Sequence, residues 1–167
     1  MITDENLTLA DGQAVASSGA VLSTNVWDTS AGVAQTAMTG GIAEGAQLLK
    51  NFDEGEPLYV LVRHSGANNF SGATSLKIEV IQSAATDMSS PDILASTDTL
   101  TPAEFPAGAT VAMRLENPSD GVEPKRYIAV RYTPAGGTSA NLTIDAFIVH
   151  GNQAGPSKLY PTSIVTD

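Results

Sequence analysis

Apolar and polar residues alternate in several short segments of the chain. Leu76, Ile78 and Val80 alternate with Lys77 and Glu79, a period of two that predicts a strand with one face on a core. The same period recurs in the second half of the sequence. It predicts strands at residues 76–81, 111–116, 127–132 and 142–149.

Two of the predicted strands carry apolar residues beyond one face. Residues 58–62 form a continuous apolar run, which predicts a strand covered on both faces. The strand at 142–149 places Phe147 and Val149 on the face opposite its core side, so this second face is half apolar.

The remaining segments give weaker patterns. Residues 7–10, 20–28 and 92–100 are further candidate strands, and residues 42–51 are the one candidate helix, which neighbouring glycines weaken. Runs rich in Gly, Pro, Asn and Ser separate the strands at regular intervals. This spacing is typical of an antiparallel sandwich or barrel, so the predicted fold class is all-β.

The chain is predicted to be one domain over residues 1–167, with its core at about 20–150. Residues 29–55 are rich in Gly, Ala and Thr and are predicted to be a long surface excursion. Residues 151–167 follow the last strong strand and are predicted to be a C-terminal arm.

Both ends of the chain carry apolar side chains that need a surface to contact. An apolar side chain that stays in water forgoes the ~1.5–3 kcal/mol of free energy that its burial would contribute. We therefore expect extended N- and C-terminal arms that pack either on their own sandwich or on another subunit. The predicted contact residues are Leu7, Leu9, Val15, Leu159, Tyr160, Ile164 and Val165.

The composition narrows the function classes. The 167 residues include 15 Gly and 9 Pro, and only 16% are charged, as in turn-rich β proteins. The absence of cysteine excludes disulfides, thiolate nucleophiles and cysteine metal sites. Because the sequence also shows no signal peptide and no long apolar run, we expect synthesis in a cytoplasm and no membrane partner.

The net charge of −10 argues against direct binding of DNA or RNA. A nucleic-acid binder needs clustered Lys and Arg to displace phosphate counterions. Adjacent bases occur here only at Lys125 and Arg126. We expect no nucleic-acid partner.

No residue pattern supports catalysis. His64 and His150 lie 86 residues apart at strand ends, which is not a metal-ligand spacing, and we expect structural or surface roles for both. Asp28-Thr29 resembles half of an aspartic-protease site, but no equivalent second loop accompanies it. The predicted protein is therefore not an enzyme and uses no metal or cofactor.

Several strings in order along the chain resemble one protein family. They lie at residues 7–15, 23–28, 55–62, 105–108, 125–132 and 142–149. In sequence and spacing they resemble the jelly-roll capsid cement (decoration) proteins of short-tailed bacteriophages, a family typified by a Bordetella phage. The segments 29–55 and 151–167 are longer than usual for that family.

The resemblance implies a jelly-roll sandwich on the exterior of an HK97-type phage head. There the protein would bind the major capsid protein and bridge its neighbouring copies, stabilising the virion. The implied oligomer is a homodimer, favoured over a trimer, with terminal arms exchanged. The acidic charge suits such an outward surface, because it repels DNA and discourages aggregation.

Two other functions remain open from the sequence. A carbohydrate-binding jelly roll, as in lectins or tail fibres, stacks sugars on exposed aromatic rings. This chain has one Trp, four Tyr and four Phe, most of them within predicted strands, and Tyr160 is the best candidate for a free ring. An enzyme on a cupin-like barrel is weaker still, because it needs clustered histidines.

Overall fold

In the computed structural model, residues 7–29, 57–116 and 125–150 are described, and they contain nine β-strands and no helix. The strands are β1 (Thr8–Ala14), β2 (Val21–Leu22), β3 (Trp27–Asp28), β4 (Leu58–His64), β5 (Ser75–Ser83), β6 (Asp92–Ser96), β7 (Thr110–Arg114), β8 (Tyr127–Ala135) and β9 (Thr143–His150). The strands predicted from periodicity are therefore confirmed, with shifts of a few residues at their ends.

The described strands form two antiparallel sheets. Sheet A has the order β1-β9-β4-β7, and sheet B has the order β2-β8-β5-β6, with β3 also paired to β8. Because β2 and β3 pair with successive parts of β8, they act as one interrupted strand. Counted so, the eight strands are ordered 1-8-3-6 and 2-7-4-5, the arrangement of a jelly roll. The predicted all-β jelly-roll sandwich is confirmed.

One face of each sheet lies on a shared core. In sheet B, the inward side chains of β5 and β8 include Leu76, Ile78, Ile128 and Val130, all fully buried. In sheet A, Ile144 of β9 is buried in the same cluster. The period-two alternation thus reports the core face correctly, because successive strand residues point to opposite sides of a sheet.

Strand β4 differs from the prediction that both its faces are covered. Val60 and Val62 are buried in the core, whereas Tyr59 and Leu61 point outward and are only half-buried. A continuous apolar run in an antiparallel sandwich therefore means one core face and one apolar outer face. A continuous apolar run is covered on both faces in a parallel sheet, where helices pack on each side, whereas β4 lies in an antiparallel sheet.

The N-terminal segment also differs from the expected arm. Strand β1 pairs with β9 at the edge of sheet A, and its Leu9 is buried in the core together with Val15. Leu7 packs partly against the same cluster. The sandwich therefore begins well before residue 20, and these residues complete the core instead of leaving it.

Several predictions fall outside the described residues. They concern the excursion at 29–55 beyond Thr29, the candidate helix at 42–51 and the C-terminal arm at 151–167. Within the described part, no helix is long and apolar enough to cross a membrane.

Candidate functional site

His64 is fully buried at the end of β4 and holds two loops against the strand. Its Nδ1 lies 3.3 Å from the carbonyl oxygen of Phe105, and its Nε2 lies 3.1 Å from that of Asn141. The ring also stacks on Phe105, with centroids 5.6 Å apart. This side chain therefore has the contacts of a structural residue, as expected from the sequence.

His150 lies far from His64. In the register of sheet A, His150 is opposite Leu58 at the start of β4, whereas His64 ends that strand. Six residues of strand separate the two positions, ~20 Å at ~3.3 Å per residue. Among the described residues, no group of three or more His, Asp or Glu side chains could hold a metal ion.

The outer face of sheet B carries a buried carboxylate between two bases. Glu79 is only 5% exposed. Its carboxylate accepts hydrogen bonds from Arg131 Nε at 2.8 Å and pairs with Lys77 Nζ at 3.0 Å. Burial raises the pKa of Glu79, but the hydrogen bonds and charges of Lys77 and Arg131 outweigh it, so the pKa lies below its ordinary value. These contacts tie β5 to β8.

Two further ion pairs lie at one end of sheet B. Arg126 binds both carboxylate oxygens of Asp28, at 2.8 and 2.7 Å, and so joins the start of β8 to β3. Lys125 Nζ lies 2.8 Å from Asp92 on β6. The adjacent bases singled out in the sequence are therefore engaged with acids, and they link strands across the sheet.

The outer face of sheet A is apolar along its centre. Leu61 of β4 pairs with Phe147 of β9, and Tyr59 pairs with Val149. Val149 is buried although it points away from the core, and the other three are half-buried. Phe147 and Val149 are the residues that made the second face of the strand at 142–149 half apolar in the sequence.

Strand β7 forms one edge of sheet A and is regular throughout. Its five residues pair with β4 in unbroken register from Thr110↔Arg63 to Arg114↔Tyr59. Thr110, Ala112 and Arg114 are exposed. Sequence periodicity predicted this strand but could not show that it lies at an edge, because edge position depends on the strand order.

The seven predicted contact residues separate into two groups. Leu9 and Val15 lie in the core, and Leu7 packs against it, so they contact their own sandwich. Leu159, Tyr160, Ile164 and Val165 lie outside the described residues.

The family comparison covers both sheets. A model of the family described as Bbp16 matches residues 9–148, from the start of β1 almost to the end of β9. The chain belongs to the Bbp16 family. The family name indicates a Bordetella bacteriophage-related family. The match ends before the predicted C-terminal arm, which leaves residues 151–167 outside the Bbp16 region. A search of curated proteins gives no match.

Proposed function

We propose that this Bbp16-family chain is a structural virion protein that binds the exterior of a phage head. More specifically, it acts as a capsid cement protein that bridges neighbouring copies of the major capsid protein. The observation that carries this proposal is the phage-related family match over residues 9–148, which spans nearly all of the described sandwich.

The architecture supports a role that depends on rigidity. A bridge between capsid subunits must transmit force without changing shape. Here Arg126–Asp28, Arg131–Glu79 and Lys125–Asp92 connect non-adjacent parts of the chain within sheet B. His64 similarly ties the end of β4 to two loops. These contacts oppose local opening of strands under load.

Net charge supports the proposed location. At −10, the protein would be repelled by packaged DNA and would stay soluble before it binds the shell. An exterior site also needs an outward face compatible with water. Sheet B supplies one, because its outer face carries the paired charges of Lys77, Glu79 and Arg131.

The carbohydrate-binding alternative has less support from the described residues. Sugar rings stack on accessible aromatic faces. The described aromatic side chains are all buried or half-buried, and Trp27, Tyr59 and Phe147 are among the half-buried ones. None of these described rings is freely exposed for stacking.

The deciding experiment is binding of the purified full-length chain to undecorated heads of the parent phage. We expect saturable co-sedimentation with heads, and increased resistance of the bound heads to heat or osmotic shock. A glycan array run in parallel tests the alternative. Absence of binding to heads together with specific glycan binding would overturn the cement proposal.

A further inference from the structure

Strand β1 contains a bulge at Asp11 and Gly12. Its register against β9 shifts by one residue there, so these two residues together face the single residue Asp145. Gly12 has a φ of +58°, the left-handed conformation that glycine adopts at one class of bulge. Both bulge residues are exposed. The bulge therefore brings an Asp–Gly peptide to the surface, beside the carboxylate of Asp145.

The side chain of Asp145 holds the main chain of this bulge. The Gly12 N–H donates a hydrogen bond to Asp145 Oδ1 at 2.8 Å. The Ser65 hydroxyl donates to the same oxygen at 2.9 Å, and the Ser65 N–H donates to the carbonyl of Thr143, also on β9. The acceptor oxygen is thus fixed by the residue that follows β4. Hydrogen bonds to carboxylates are stronger than those between neutral groups, so this contact restrains the Gly12 amide.

An Asp–Gly peptide has a reaction of its own, because glycine has no side chain to shield its nitrogen. The glycine nitrogen attacks Cγ of the aspartic acid and forms an N–Cγ bond. The carboxyl OH and the amide proton leave as water, which closes a five-membered succinimide. Water then adds to one of the two ring carbonyls and reopens the ring. Opening at the main-chain carbonyl gives isoaspartate, in which the chain runs through Cγ. The net change is an isomerisation, and water is the only co-reactant.

We propose that Asp11 is a site of isoaspartate formation and that Asp145 suppresses this reaction in the folded chain. While the Gly12 N–H is bound to Asp145 Oδ1, the nitrogen keeps its proton and its N–H points at Asp145. Reaction therefore requires local opening of the bulge, and the free-energy cost of that opening includes the loss of this hydrogen bond. The proposal concerns the chemistry of the chain and does not depend on the cement function.

The position of Asp11 makes the modification consequential. Isoaspartate adds one carbon to the main chain of β1, between Leu9 and Val15, which are both buried in the core. Strand register is set by residue count, so an added backbone atom changes how the two halves of β1 pair with β9. Asp145 thereby preserves this edge of sheet A as the protein ages.

The first test ages the purified full-length chain in warm neutral buffer. Methylation by an isoaspartate methyltransferase counts the product, and electron-transfer fragmentation locates it. Location separates Asp11 from Asp120–Gly121, the other Asp–Gly in the sequence. We expect Asp145→Ala to form isoaspartate at position 11 about tenfold faster than wild type, the factor that corresponds to ~1.4 kcal/mol of lost hydrogen bonding.

Two further variants of the bulge complete this test. Asp145→Asn keeps an amide oxygen that can accept from Gly12, so its rate should stay close to that of wild type. Asp11→Glu should abolish the product at position 11, because its longer side chain does not form the five-membered ring. An Asp145→Asn rate equal to that of Asp145→Ala would overturn the proposal. An Asp145→Ala rate no higher than that of wild type would overturn it as well.

A control variant separates this hydrogen bond from a general loss of stability. Glu79→Gln removes a paired carboxylate in sheet B, the sheet that does not contain the bulge. Its aged sample should resemble wild type at Asp11. If it forms isoaspartate there as fast as Asp145→Ala does, global unfolding controls the reaction and the role of Asp145 is refuted.

Amide hydrogen exchange of wild-type Gly12 needs no variant, so it decides the question even if Asp145→Ala does not fold. Gly12 is exposed, and its amide would exchange rapidly without a hydrogen bond. We expect slowed exchange, because the N–H must first leave Asp145. Exchange as fast as that of a glycine in an unstructured peptide would overturn the proposal.

Discussion

His64 illustrates how one side chain can contact two loops at one end of the sandwich. Both ring nitrogens lie near carbonyl oxygens, of Phe105 and of Asn141, in a fully buried site. Replacing His64 by Phe would preserve the ring but leave a buried carbonyl without its donor, which costs ~1–3 kcal/mol. We predict that His64→Phe lowers the free energy of unfolding in urea by that amount.

A neighbouring position provides the control for this prediction. Arg63 precedes His64 on β4 and is exposed. Arg63→Gln should change stability by less than ~0.5 kcal/mol, as surface substitutions usually do. Equal effects of the two substitutions would show that the His64 contacts contribute nothing specific.

Glu79 should make the protein sensitive to acid. Its folded-state pKa is lower than its ordinary value, so its contribution to stability is fully present above that ordinary value, 4.5. The contribution is lost as the pH falls through the lower folded-state pKa. We predict that Glu79→Gln destabilises the protein at pH 7 by ~1–3 kcal/mol, and that its deficit relative to wild type shrinks below about pH 4.5.

The measurement is urea unfolding of both proteins across a pH series. Glu116→Gln is the control, because that side chain is 61% exposed and its nearest contact to Arg114 is 3.8 Å. A Glu79→Gln deficit that stays constant from pH 7 to pH 3 would contradict the assigned role of Glu79.

The sequence predicted Glu79 on the polar face of a strand. It could not predict the burial, because Arg131 comes from a strand 52 residues away.

At the scale of single strands, inward positions should be far more sensitive than outward ones. Ile128 of β8 and Ile144 of β9 are fully buried, whereas Ile93 of β6 is 51% exposed. We predict that Ile128→Ala and Ile144→Ala each cost ~2–5 kcal/mol. Ile93→Ala, the same change at an exposed site, should cost less than ~0.5 kcal/mol. Losses that are similar at all three sites would mean that the strand register is wrong.

The strands that sequence predicted well differ physically from those it predicted poorly. Long pairs such as β5 with β8 keep one register over nine residues, so their alternation is visible. In β1, two register shifts and a left-handed Gly12 interrupt the alternation. For this reason the segment gives only a weak strand signal in the sequence, where its apolar residues are equally compatible with an arm. Strands β2 and β3 are too short to show any period.

At the scale of the whole molecule, local patterns predicted an antiparallel sandwich or barrel but not the strand order. The reason is that both architectures present the same alternation within each strand. The order β1-β9-β4-β7 depends on contacts between residues 47 to 139 positions apart, from Arg63 with Thr110 to Thr8 with Phe147. The jelly roll was expected only from the family resemblance, and the edge position of β7 was not expected at all.

The last prediction concerns the C-terminal segment, which lies outside both the described residues and the Bbp16 match. An arm that becomes ordered on binding loses ~1–2 kcal/mol of backbone entropy per residue, so it must bring apolar groups to offset that loss. Residues 156–167 supply Leu159, Tyr160, Ile164 and Val165, and Pro156 and Pro161 reduce the entropy to be lost. We predict that deleting 156–167 leaves the strand content intact but weakens head binding or dimerisation at least tenfold, about 1.4 kcal/mol.

A variant of unchanged length distinguishes the contribution of the four apolar side chains to binding from that of the rest of the arm. Changing Leu159, Tyr160, Ile164 and Val165 to Ser in the full chain keeps the arm and removes only its apolar groups. If those groups provide the binding free energy, this variant should bind heads as weakly as the deletion does. If instead it binds like wild type, the backbone of the arm makes the contact. Wild-type decoration and dimerisation by the deleted chain would assign both contacts to the sandwich itself.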